Sequence, residues 1–194
     1  MGHGTAEEAA IALLRACGAE GREHPGGTLL AHLLRVRDRL AAWGARPELR
    51  LAGLCHAFYG TDGFAVSLLP LERRAELRAA IGEEAEALVY LYASCDREAT
   101  YPALHLPDGP YRDRFTGETF TPTTRQRRGV AELTAANELD IATASPEFHT
   151  RWAPDLLTLF TRLRPLLTDA AWEEVRGVLG RPHGHGPAVR VSSR

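Results

Sequence analysis

HPGGTLLAHLLRVRDRLAAWGARPELRLAGLCHAFYGTDGF, residues 24–64, decides the fold. Apolar residues recur at Leu29, Leu30, Leu33, Val36, Leu40 and Trp43, the three- and four-residue rhythm of a helix with one buried face. Thr28 has the chemistry of an N-cap and Gly44 that of a stop. Pro47 suits the first turn of a second helix, which runs through Leu51, Leu54 and Cys55 to about Phe58. So short a break predicts antiparallel packing. His32 opens the first helix and His56 closes the second, so the two are expected to converge, with His24 just upstream of the same end.

Working outward, TAEEAAIALLRAC (5–17) reads as a first helix, with Thr5 and Glu8 at capping-box spacing. Residues 65–81 give a short helix opening near Pro70, and 83–94 a strong one with acidic residues at its positive end. Residues 96–123 contain four prolines and are irregular, except that YRDRFTGETFT predicts a small β-hairpin near 111–121. A helix is expected over 124–143, ended by Ser145-Pro146, and two closing helices over 154–167 and 169–179. From Gly180 the Gly, Pro, His and Ser content predicts a disordered tail, with His183 and His185 inert. The expected architecture is all-α, a single domain over 1–179 with one β excursion.

Composition narrows the function. A chain of 194 residues suits one well-packed domain. A formal net charge of −2 with no long basic run argues against nucleic-acid binding. No stretch approaches the roughly 20 apolar residues of a membrane span, and no signal-like N-terminus is present, so a cytoplasmic location is expected. The 3 cysteines are scattered through apolar helical patterns and read as buried free thiols. All 23 basic side chains are arginine. The absence of lysine removes Schiff-base chemistry, a phosphate-loop lysine and a serine–lysine dyad. Any bound anion must be held by arginine, histidine or backbone N–H groups.

HLLRVRDRLAAWG…PELRLAGLCHAFYGT resembles the signature of the HD-domain superfamily of metal-dependent phosphohydrolases. The likeness is strongest to a group of small bacterial HD-like proteins. It is carried by His24, Thr28 to His32, His56 to Thr61, Asp96-Arg97, and Arg114 with Thr116-Gly117, and covers about residues 22–142. The resemblance implies an HD-like helical bundle. It makes His32 the first metal ligand, His56 the histidine of the His-Asp pair, and Asn137 or Asp140 the late acidic position. The chain departs from the family where it matters most, because Ala57 stands in place of the paired Asp. A two-metal site leaning on bridging carboxylates is hard to build without it. His24, His32 and His56 still suit one divalent transition metal, Zn, Fe or Ni; one ion or none is the expectation.

Other side chains extend the candidate site. Tyr59 and Thr61 offer hydroxyl groups on a turn with Gly60 as its left-handed residue. Arg97, Arg112 and Arg114 are candidates to clamp an anion. Asn137 lies in an apolar stripe and needs buried partners. Asp140 suits a late ligand or the carboxylate that orients a histidine. Each residue also has a plainer reading, as a capped helix end, a turn or a solvated ion pair. The leading expectation is a small-molecule enzyme acting on an anionic substrate, with hydrolysis the default and His24, His32, His56 and Asp140 as the catalytic set. The alternatives are a non-catalytic binding or regulatory module, which Ala57 suggests, and a metal-free or iron-dependent enzyme on the same fold.

Overall fold

The computed structural model describes residues 5–64 and 66–181. The tail expectation for 182–194, with His183 and His185, lies outside the described residues.

Several helices begin where a side chain satisfies free N–H groups. Thr5 and Glu8 form a full capping box at the start of α1 (Ala6–Ala16), and Thr123 and Gln126 another at the start of α7 (Thr124–Ala144). Thr28 Oγ1 accepts from the Ala31 N–H to open α2 (Leu29–Ala42), and Pro47 occupies the first turn of α3 (Pro47–Cys55). Gly44 takes the left-handed conformation (φ 75°) that the α2–α3 turn requires. α4 (Arg74–Ile81), α5 (Glu83–Ser94) and the single turn α6 (Arg97–Thr100) follow. The expected β-hairpin forms as β3 (Tyr111–Arg112) and β4 (Thr119–Phe120), with Tyr111 opposite Phe120.

α2 and α3 pack against each other as an antiparallel pair, and Gly53 lets them close: a Cβ there would strike the Leu40 side chain. α7 runs through the middle, touching α2, α3 and α5 on one side and α8 and α9 on the other. Most of its 21 residues are buried, which is why it shows no single apolar stripe. Leu33, Val36, Leu54, Val89, Leu133, Leu139 and Phe160 belong to one continuous core. Each full burial of such a side chain is worth roughly 1.5–3 kcal/mol.

Two features depart from the sequence reading. α8 (Pro146–Leu163) starts eight residues before the expected 154 and ends before 167, in a 310 turn at Arg164–Leu166. Ser145-Pro146-Glu147 does end α7, but it also starts the next helix. Ser145 accepts from the Phe148 N–H, Pro146 sits in the first turn, and Pro154 is inside the helix. The second departure is a two-stranded ribbon, β1 (Glu23–His24) and β2 (Gly27–Thr28), just ahead of α2. α9 (Asp169–Leu179) closes the described chain. None of the described helices is long and apolar enough to cross a membrane.

Candidate functional site

The site begins with the β1–β2 turn. Pro25 and Gly26 make it, and Gly26 has φ 80°, a conformation that side chains with a Cβ rarely adopt. The Arg35 guanidinium, one helical turn along α2 from His32, holds the turn by donating to the carbonyl oxygens of Pro25 (3.3 Å) and Gly26 (3.4 Å). It also grips Asp140 on α7 with two bonds, Nε to Oδ1 at 2.8 Å and Nη2 to Oδ2 at 2.9 Å. His24 is thereby laid flat on His32, with ring centroids 3.9 Å apart and planes 24° from parallel.

His32 is buried, and both its nitrogens meet oxygen. Nδ1 donates to Asp140 Oδ2 at 2.7 Å and Nε2 to Asn137 Oδ1 at 3.1 Å. The Asn137 amide is oriented by its other end, where Nδ2 donates to Glu138 Oε1 at 3.2 Å. The neighbours of His32 are kept neutral. Burial, and after it the charge on His32, lowers His56 to a pKa of about 3 and His24 to about 4. Burial works against the Asp140 carboxylate, but the bonds from His32 and Arg35 outweigh it and hold its pKa at about 2.

His56 sits at the α3 C-terminus, its ring centroid 5.3 Å from that of His32. Its Nδ1–H donates to the Gly53 carbonyl at 2.8 Å, one of the oxygens that a helix end leaves free. That bond fixes the tautomer and leaves the lone pair on Nε2. The following turn does the rest of the positioning. Gly60 takes φ 69°, Thr61 pairs with Phe64, and Asp62 accepts from the Arg97 backbone N–H at 2.9 Å. The Arg97 side chain therefore packs over Gly63, where a Cβ would lie 3.0 Å from Nη1. Its guanidinium donates to Glu138 Oε1 (3.2 Å) and to the Tyr92 hydroxyl (3.3 Å), lying near the rings of Tyr92 and Tyr101.

These groups surround a cavity of about 540 Å3. His24, His32, His56, Thr61, Arg97, Asn137 and Glu138 line one part of it. Leu29 and Ile141 also line it, with Phe148, Trp152, Leu156 and Leu159 of α8. Trp152 is among the most exposed large apolar residues of the described chain. Of the residues expected here, Tyr59, Arg112, Arg114 and Asp140 are not part of the lining. Tyr59 turns away to donate to buried Glu86. Arg112 is exposed and pairs with Asp96 at 3.5 Å. Arg114 donates to the Ala93 carbonyl and lies over Phe115. Neither lines the cavity, so a three-arginine clamp does not form. Asp140 stands behind His32 as its orienting carboxylate. Sequence reasoning missed Arg35, Glu138 and the apolar wall. Glu138 adjoins Asn137 within the same helix, and Arg35 lies one turn from His32, which were the available signals.

The residues present do not fit a metal. Nitrogen lone pairs lie in the ring plane, so one ion bound by His24 and His32 would need to sit in two nearly parallel planes stacked 3.9 Å apart. Both His32 nitrogens are already bonded. Among the described residues no group of three or more His, Cys, Asp or Glu side chains is placed to hold an ion. The His24/His32/His56 ligand set expected from the sequence is instead a stack and a T-shaped pair.

A family model described as a domain of unknown function (DUF6817) matches residues 13–97. That span holds His24, His32, His56, Thr61 and Arg97, and stops short of the α7 residues that partner His32 and Arg97. No curated protein matches the chain, and no solved structure matches it.

Proposed function

We propose that this protein is a small-molecule enzyme in which neutral imidazole groups move protons, with hydrolysis as its default reaction. The HD-like resemblance of the α2–α3 hairpin suggests hydrolysis. The observation that carries the reading is His56, whose Nδ1–H is committed to the Gly53 carbonyl while Nε2 stays unprotonated in a residue lining the cavity. A water molecule beside Nε2 would find a proton acceptor there, unprotonated at neutral pH and a weak base because burial lowers its pKa to about 3. Asn137 and Asp140 hold His32, and His32 in turn supports the stacked His24. Asp140 is thus a positioning residue in this scheme, and Arg97 with Thr61 supplies hydrogen bonds to the substrate. The reaction runs on these side chains alone.

The test is turnover of p-nitrophenyl esters of increasing chain length by the wild-type protein and by His56→Gln, with circular dichroism confirming the fold of both. Loss of a general base costs roughly 10²–10⁴-fold in rate. Equal turnover by the two proteins would remove His56 from the mechanism. Absence of turnover in the wild type would favour the second reading, a non-catalytic binding module. That reading is suggested by buried Ala57, where the HD pattern has a carboxylate.

A further inference from the structure

From the charges around the cavity we infer that its substrate is an uncharged carboxylic ester with a hydrocarbon or aryl body, and not a phosphate ester or other anion. The inference rests on the hydrolytic reading above and names its substrate class.

The first observation is that no unmatched cation lines the cavity among the described residues. Arg97 is paired with Glu138 at 3.2 Å. His32 is paired with Asp140 at 2.7 Å, and Asp140 is also gripped by Arg35 from behind. Glu23, the exposed residue of β1, adds a further negative charge to the lining. A phosphate dianion would enter against Glu138 and Glu23, and it would have to break the Arg97 pair to gain a cation. Arg112 and Arg114, which would have changed this balance, point elsewhere.

The second observation is the α8 wall. Phe148, Trp152, Leu156 and Leu159 give the cavity an apolar side, and the one charged group stacked on them, Arg151 over the Trp152 ring at 5.0 Å, is not part of the lining. Such a wall suits a hydrocarbon or aromatic body, and the polar groups suit one compact head. A guanidinium has five N–H bonds and Arg97 uses two, so donors remain for a carbonyl oxygen. A carbonyl group accepts hydrogen bonds without bringing charge.

The chemistry balances without a further reagent. Water oxygen bonds to the ester carbonyl carbon as His56 Nε2 takes one water proton, and the carbonyl π pair moves onto oxygen. When that pair returns, the bond from carbon to the alkoxy oxygen breaks. The departing alkoxide takes the proton back from Nε2. The products are an alcohol and a carboxylic acid. Once ionised, the acid meets the negative charge of Glu138, which favours its release.

A matched set of ligands tests the inference: 2-decanone, decanoate and decyl phosphate, titrated into the full-length protein by calorimetry. The ketone is an uncharged, unreactive counterpart of the ester. It should bind at least about tenfold more tightly than either anion. Glu138→Gln removes one negative charge at similar size, so it should narrow or reverse that preference. Comparable or tighter binding of either anion by the wild type overturns the inference, as does failure to bind the ketone. The head-group preference needs no proton transfer, so His56→Gln should keep it. Retained preference with undiminished ester turnover in His56→Gln would therefore sink the catalytic reading and leave the ligand class standing. Lost preference with His56-dependent turnover would do the reverse.

Discussion

Asp140 takes hydrogen bonds from His32 and, twice, from Arg35, while only 4% of its side chain is exposed. A neutral amide of the same shape cannot accept from His32 and twice from Arg35. Asp140→Asn should therefore cost about 3–5 kcal/mol, the range for breaking a buried pair, read from urea unfolding at neutral pH. A loss below about 0.5 kcal/mol, the scale of a surface change, would mean that the network is not held as described. The histidines make a second prediction, and its sign follows from burial. The folded-state pKa of His56 is lowered from 6.5 to about 3, so between those values the unfolded chain binds more protons than the folded one. The stability it contributes is complete above pH 6.5 and is lost as pH falls toward 3, with a slope of about 1.4 kcal/mol per pH unit within that window. Asp140, lowered to about 2, adds its own loss only below pH 3.8. Unfolding midpoints measured from pH 7 to pH 4.5 should fall less steeply in His56→Gln than in the wild type. Identical slopes would contradict a buried neutral His56.

Among the elements, the β1–β2 ribbon does most to shape the site and is the hardest to read from sequence. Its strands are two residues each, too short for alternation to show. Pro25-Gly26 does signal a turn, and the missing information was its anchor, because Arg35 reaches the turn through space from α2. α2 and α3 were legible because each carries its own cap or proline start and a helical apolar rhythm, and that was enough to bring His32 and His56 together. α8 was misread for a different reason. Two prolines, Pro146 and Pro154, each have the chemistry of a first-turn residue, and only packing decides that the helix runs through the second. These elements yield two further predictions. Gly26→Ala forces a Cβ into a position with φ 80° and within 2.8 Å of the Ala144 Cβ, so it should cost about 1–3 kcal/mol. It should also free His24 from its stack and let its pKa rise from about 4 toward 6.5, visible in a histidine-resolved NMR titration. Pro154 is exposed and lacks the N–H that would bond the Thr150 carbonyl. Pro154→Ala should therefore stabilise α8 by about 1–3 kcal/mol, seen as a higher melting temperature. A lower melting temperature would show that the helix depends on its proline.

At the scale of the molecule, α7 decides what the rest can do. It is buried on both sides, and its polar residues complete what the N-terminal half begins: Asn137 and Asp140 bond His32, and Glu138 pairs with Arg97. Glu132, nearer the start of the same helix, accepts from the Thr168 N–H at 3.0 Å and ties in the chain leading to α9. Sequence alone places α7 correctly but cannot show that it is central. A helix surrounded by neighbours loses the one-sided pattern that reveals orientation, so Glu138 reads as an ordinary helical glutamate. The family match over residues 13–97 ends before this helix, although the histidines that line the cavity, His24, His32 and His56, lie within the match. Residues 1–100 produced alone would keep the α2–α3 pair and α5 and lose the surface on which all three pack. They would also strip His32 of both its partners. That fragment should fail to fold cooperatively, with poor dispersion in NMR spectra and strong binding of a hydrophobic dye, while the full chain unfolds in one transition. A fragment with sharp, dispersed signals and a cooperative melt would show that the N-terminal half is a unit by itself. In that case α7 would be a late addition that completes a cavity already formed, and the His32 nitrogens would need other partners.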